Sequence, residues 1–119
     1  MILVDTPVWV DHLRSGNKRL ITLLSRGQVL AHAWVIGELA LGTLLRRSEV
    51  LRLLHGLPQA TVATHDEVIQ FIDQEALYAQ GIGYVDVQLL AATRLSDNAR
   101  LWTSDARLHS LATRLDIAA

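Results

Sequence analysis

The sequence predicts an α/β fold, a three-layer α/β/α sandwich around a mainly parallel central sheet. Three observations predict it. Short apolar runs alternate with helix-patterned segments along the whole chain, the order that builds parallel sheets through helical crossovers. The first run, Met1-Ile2-Leu3-Val4, shows no polar alternation, as a strand buried on both faces requires. It stops at Asp5, and Thr6 as N-cap with Pro7 in the first turn starts a helix at once. Asp5 is thereby placed just past the carboxyl end of a central strand, where open α/β sheets bind ligands.

Each later element follows from local pattern. Residues 7–14 read as a short helix stopped by Ser15-Gly16-Asn17, and 18–26 as a second, closed by Gly27. Residues 28–31 form a short second strand. The helix over 33–47 is apolar almost all round and should pack deeply. Gly37 and Gly42 are costly inside it and suggest a close approach by a neighbouring element. Another short helix, 49–55, ends at Gly56 and Pro58. Residues 60–63 are a plausible third strand. Thr64 caps the next helix, with Glu67 completing a capping box, and that helix runs to about residue 80. After the loop at 81–84 comes a helix over 85–96. A fourth strand occupies 100–103, a last helix opens at Ser104-Asp105 and runs to about 114, and 116–118 make a short edge strand.

At 119 residues the chain is expected to be one domain, residues 1–119, with no linker, repeat or low-complexity stretch. Hydrophobic residues make up 50% and charged ones 19%, which excludes a disordered chain. Cysteine is absent, so disulfide frameworks and thiolate chemistry are excluded. No apolar run is long enough to span a bilayer and no basic leader precedes the first one, so the expected location is the cytoplasm and no membrane partner is expected. Eleven Lys and Arg against 12 Asp and Glu give a net charge of −1, without bulk electrostatic support for nucleic-acid binding. A local basic rim is the remaining route.

Chemistry is concentrated in Asp5, Glu38, Asp86 and Asp105. Asp5 and Asp105 follow two parallel strands and share one sheet edge. Glu38 sits among Val35, Ile36, Leu39 and Leu41, an odd setting for a charge, and Asp86 starts a helix behind a glycine-containing loop. Taken singly, Asp86 and Asp105 are equally good capping residues, and Glu38 a charge that has found a gap in an apolar surface. Taken together, clustered carboxylates repel unless a cation neutralises them. An oxygen-only donor set points to a hard ion, Mg²⁺ or Mn²⁺. Thr6 and Thr103 are placed to hydrogen-bond these acids or each other, although capping and strand propensity explain them as well. His12, His32, His55, His65 and His109 show no zinc spacing and are read as structural or surface residues. Trp9, Trp34 and Trp102 are read as core rather than as base-stacking platforms.

These residues resemble the PIN-domain family, and closely its VapC-type ribonuclease toxins. Leu3-Val4-Asp5-Thr6-Pro7-Val8-Trp9-Val10-Asp11 is similar to the family's opening, with Pro7 where serine is usual. Ile36-Gly37-Glu38-Leu39 with Gly42, Asp86-Val87-Gln88-Leu89-Leu90-Ala91-Ala92-Thr93 and Leu101-Trp102-Thr103-Ser104-Asp105-Ala106-Arg107-Leu108 resemble the segments carrying the second, third and fourth acids. The set is ordered and spans essentially the whole chain. The resemblance implies a Mg²⁺- or Mn²⁺-dependent endoribonuclease, usually a homodimer, inhibited by a cognate antitoxin. Asp5 and Asp86 would be the firmest ligands, with Glu38 and Asp105 binding a second ion or holding its water, and hydrolysis would be by metal-activated water. The alternatives are a PIN-like binding subunit without catalysis and a metal-dependent DNA nuclease. A phosphate-receiver domain lacks its acidic pair here, and an Asp-x-Asp phosphatase is excluded by Pro7.

Overall fold

Leu3 and Val4 have no exposed surface, because β1 (Ile2–Val4) has a strand on each side and helices on both faces. The structure is a computed structural model describing residues 1–119. Its sheet is parallel, with β2 (Val29–Leu30) and β3 (Arg100–Trp102) flanking β1 in the order β2-β1-β3. Leu3 lies opposite Leu30 on one side and Leu101 on the other, so the middle of the sheet is built of leucine.

The helices are α1 (Thr6–Ser15), α2 (Lys18–Ser25), α3 (Ala33–Leu41), α4 (Arg47–Gly56), α5 (His65–Glu75), α6 (Tyr84–Leu95) and α7 (Ala106–Arg114). The chain steps outward from β1 to β2 and, through α3 and α4, on to a parallel bridge between Gln59 and Ala31, then returns across β1 to β3. With right-handed crossovers, that reversal puts α1 to α4 on one face and α5 to α7 on the other. The packing agrees: α1 and α4 lie against α3, α5 lies against α6, and α6 and α7 lie against β3. This is the three-layer α/β/α arrangement expected of a PIN-like fold. No helix is long and apolar enough to cross a membrane.

Two expected strands shrink to single bridges. In place of a strand over 60–63, Gln59 alone bridges Ala31, and Thr61 N–H turns away to Ser96 Oγ. At the other edge Ala118 alone bridges Leu101, where a strand over 116–118 was expected. β2 has only two residues, which leaves little backbone for an outer strand to pair with. The helix expected over 33–47 ends at Leu41. Gly42 N–H bonds the Leu39 carbonyl, and the backbone becomes left-handed at Arg46 before α4. Gly37 meets no neighbour, so no close approach explains it.

The helix expected to reach residue 80 ends five residues earlier, at Glu75, for a different reason. Ala76 takes a left-handed conformation (φ 52°), and Leu77 N–H reaches back 3.0 Å to the Ile72 carbonyl. Leu77 is thereby buried, and that burial offsets the cost of placing alanine where glycine is favoured. At the other end of α5 the capping box forms as expected, with Glu67 N–H donating to Thr64 Oγ1 and Thr64 N–H to Glu67 Oε1.

Ala76→Gly is therefore expected to raise stability by roughly 0.5–1 kcal/mol. Leu3→Ala should lower it by about 2–5 kcal/mol, because the central strand offers no room for collapse. Urea unfolding of both variants beside the wild type reads the two effects. A stabilisation by Leu3→Ala, or a loss on Ala76→Gly, would contradict these accounts.

Candidate active site

β1 delivers Asp5 to the carboxyl edge of the sheet, where its N–H still pairs with the Trp102 carbonyl at 2.9 Å. Its carboxylate is buried and fixed at both oxygens. Oδ1 accepts from Thr6 N–H at 2.8 Å, and Oδ2 accepts from the Thr103 hydroxyl at 2.8 Å. The same Thr103 oxygen accepts Asp105 N–H at 3.0 Å, so one buried hydroxyl ties the ends of β1 and β3 together. Asp5, not Thr6, is the N-cap of α1. Thr6 is freed by that shift, and its hydroxyl donates to Glu38 Oε1 at 2.6 Å.

Glu38 comes from the middle of α3, on the exposed side of a helix whose Val35, Ile36 and Leu39 are buried. Asp86 lies in the first turn of α6, where Oδ2 accepts Gly83 N–H at 3.1 Å. Asp105 caps α7, with Oδ1 accepting Leu108 N–H at 2.8 Å. Capping and clustering are thus both true of Asp86 and Asp105: each cap uses one carboxylate oxygen and leaves the other without a protein hydrogen bond.

Asp5, Asp11, Glu38, Asp86 and Asp105, with Thr6, Pro7 and Val10, line one open cleft of about 430 Å³. No Lys, Arg or His lines it. The ion pairs of the molecule lie elsewhere, Arg94 with Glu75 and Arg100 with Asp116. Burial pushes the Asp5 carboxyl above its usual pKa of 3.8. The hydrogen bonds from Thr103 and Thr6 hold it down in part, while the charges of Asp86 and Glu38 add to the rise. Asp86 and Glu38 are therefore the acids whose charges Asp5 feels.

The donor set suits a hard divalent cation: oxygens only, several of them free, and no protein base to neutralise them. No three of these side chains converge on a point where all would hold one ion.

Two residues escaped the sequence reading. Asp11 stands four residues after Pro7, hence on the same face of α1, and this spacing was available as a signal. Trp34 was read as core, yet it is 37% exposed. The residues adjacent to it in sequence are apolar, which hid it among Val35 and Ile36; the signal available was Glu38, one turn on along the same face. Trp9 is buried as expected, and Trp102 is half-buried beneath the Arg19 guanidinium, 4.4 Å from the ring centre.

The chain was compared with known proteins. It is 45% identical over 118 residues to Ribonuclease VapC32 of Mycobacterium tuberculosis, in strains CDC 1551 and H37Rv alike. The match covers 99% of this chain and 95% of each relative. No family model matches the chain.

Two outcomes follow from the geometry. Thr103→Val removes the donor to Asp5 and the acceptor for Asp105 N–H, and should cost about 1–3 kcal/mol in urea unfolding. The second concerns pH. Because the folded-state pKa of Asp5 lies above its unfolded value, folding favours the protonated carboxyl. Its contribution is fully present below about pH 3.8 and is lost as pH rises through the folded pKa. In EDTA, the Tm of Asp5→Asn minus that of the wild type should accordingly be larger at pH 7 than at pH 4. A difference that is constant with pH, or that shrinks toward pH 7, would refute the desolvated carboxylate.

Proposed function

The chain belongs to the VapC-type PIN ribonucleases, and from that membership and its acidic cleft we propose that it is a divalent-cation-dependent endoribonuclease, the toxin of a toxin–antitoxin pair. The observation that carries the reading is the cleft itself. Carboxylates from β1, α1, α3, α6 and α7 converge there with no basic side chain among them. A fold keeps such a cluster at a cost to its own stability unless a cation and a phosphate complete it.

Asp5 and Asp86 are the residues proposed to hold Mg²⁺ or Mn²⁺, with Glu38 and Asp105 supporting a second ion or the attacking water. When bound, the cation supplies Lewis-acid stabilisation of the phosphate and makes a water nucleophilic near neutral pH. The protein's own part is placement. The Thr6 N–H and the Thr103 hydroxyl fix both oxygens of Asp5, so this ligand is oriented before anything binds. The Thr6 hydroxyl occupies Glu38 Oε1 and leaves Oε2 to hold a water or take its proton. Attack by water breaks the bond between phosphorus and the 3′ oxygen, leaving a 3′-hydroxyl and a 5′-phosphate. The RNA substrate, a cognate antitoxin protein as inhibitor and a homodimeric assembly belong to the same proposal.

Purified protein, free of any antitoxin, should cut total RNA into discrete fragments in Mg²⁺ or Mn²⁺ and be silent in EDTA. Asp5→Asn should lower the rate by at least on the order of 100-fold, and Thr103→Val, which only orients Asp5, by about 10–100-fold. Mg²⁺ should also raise the Tm of the wild type and leave that of Asp5→Asn nearly unmoved. Cleavage that persists in EDTA or in Asp5→Asn would remove the assignment of the cleft. Metal-dependent cutting of DNA with RNA left intact would move the protein to the other nuclease class.

A further inference from the structure

Beside the acidic cleft lies an aromatic step that the proposed chemistry does not use. Trp34 and Tyr84 meet across α3 and α6 with ring centres 5.6 Å apart and planes tilted by 48°. Tyr84 in turn lies 5.6 Å from His65 at the start of α5. Three helix starts therefore bring three rings together. The step adjoins the acids through the chain itself. Trp34 stands four residues before Glu38, one turn away on the same face of α3. Tyr84 shares the first turn of α6 with Asp86.

The step is held rigid from beneath and left open above. Gln88, buried within α6, donates to the Tyr84 hydroxyl at 3.1 Å, and that hydroxyl meets His65 Nδ1 at 2.8 Å. With the amide donating, the phenol proton goes to His65, so both capacities of the hydroxyl are used and the ring is fixed. His32 fixes the backbone beneath the tryptophan. Fully buried, its Nδ1 accepts the backbone N–H of Trp34, 3.0 Å away, and so caps α3 at the residue before the helix begins. Trp34 nevertheless stays 37% exposed and His65 is exposed as well. A large aromatic surface kept in water costs free energy, and here it is kept one helical turn from Glu38, which lines the cleft.

We propose that Trp34 and Tyr84 form a stacking platform for a nucleobase of single-stranded RNA next to the phosphate held in the acidic cleft. This deepens the ribonuclease reading and rests on it. The chemistry favours a base over a protein side chain. The cleft repels polyanions unless cations are present, and the net charge of −1 gives little electrostatic capture, so stacking must supply binding that phosphate contacts do not. A base that is unstacked from its neighbours and laid on tryptophan is also how single-stranded RNA is usually grasped. Stacking tolerates any base, so the platform sets position along the strand rather than sequence.

The test is equilibrium binding to the full chain in Mg²⁺, read by anisotropy before turnover. The probes are fluorescein-labelled hexaadenylate, hexauridylate and a hexamer lacking bases, each with wild type, Trp34→Ala and Trp34→Phe. Trp34→Ala should weaken both base-bearing oligomers roughly 10-fold or more. Trp34→Phe should keep most of the affinity, and the base-free hexamer should not distinguish the three proteins. Equal affinities of wild type and Trp34→Ala for the base-bearing oligomers, or no binding by wild type, would overturn the platform. So would a change of molar mass in Trp34→Ala by light scattering, which would place a second copy of the chain on the tryptophan. Metal-dependent cleavage of total RNA is measured in parallel. Binding that depends on Trp34 without cleavage would sink the ribonuclease reading and leave the platform standing; cleavage indifferent to Trp34 would do the reverse.

Discussion

A single buried hydroxyl, that of Thr103, is the constraint on which the rest of the site depends. Strand β3 ends one residue before it, and β1 ends one residue before Asp5. By donating to Asp5 and accepting from Asp105 N–H, the hydroxyl fixes the relative position of two strand ends and the start of α7. Without it the carboxylate at the centre of the sheet would be buried with one oxygen unsatisfied, which costs far more than a surface acid does. A parallel sheet suits this arrangement because every strand ends on the same side. Acids placed after any strand are then automatically neighbours.

The cluster carries a built-in conflict between folding and binding. Asp5 is desolvated and faces the charges of Asp86 and Glu38, so the acidic cleft is a destabilising element of an otherwise leucine-rich core. The local devices around it contain the conflict without removing it. Caps at Asp5, Asp86 and Asp105 satisfy one oxygen of each acid with a backbone N–H from its own helix. Helix N-termini carry partial positive charge, so the same caps also ease the mutual repulsion. At Asp86 and Asp105 the cap thus does two things: it secures a helix start, and it leaves one oxygen free at the cleft, whereas at Asp5 the second oxygen is taken by Thr103.

Much of this was legible in the sequence because the signals are local. The unbroken run before Asp5 fixes a central strand, and capping positions locate Asp86 and Asp105. What was not legible depended on neighbours far along the chain. Residues 60–63 have strand-compatible composition, but a two-residue β2 gives them no ladder to join. Ala76 carries no stop signal, and only the burial of Leu77 explains why α5 ends there. The cap of α1 was assigned one residue late, to Thr6, since both residues are good caps and only the reach of Glu38 to the Thr6 hydroxyl decides between them. Asp11 shares a helix face with Pro7 and follows Val8-Trp9-Val10, so its apolar setting and its spacing were both signals, but it follows no strand end and caps no helix, the marks by which Asp5, Asp86 and Asp105 stand out.

The error at Trp34 has the same origin and carries more weight. An apolar stretch around a tryptophan reads as core, since aromatic side chains dominate buried surface. Yet α3 buries only Val35, Ile36 and Leu39, and α1 and α4, which lie against it, do not cover its whole circumference. One side is left over. On that side stand Trp34 and, one turn on, Glu38: an aromatic surface and an acid displayed together, the ring met by Tyr84 of α6 and the acid lining the cleft. The exposed ring and the exposed acid are thus two consequences of one helix side that α1 and α4 leave uncovered.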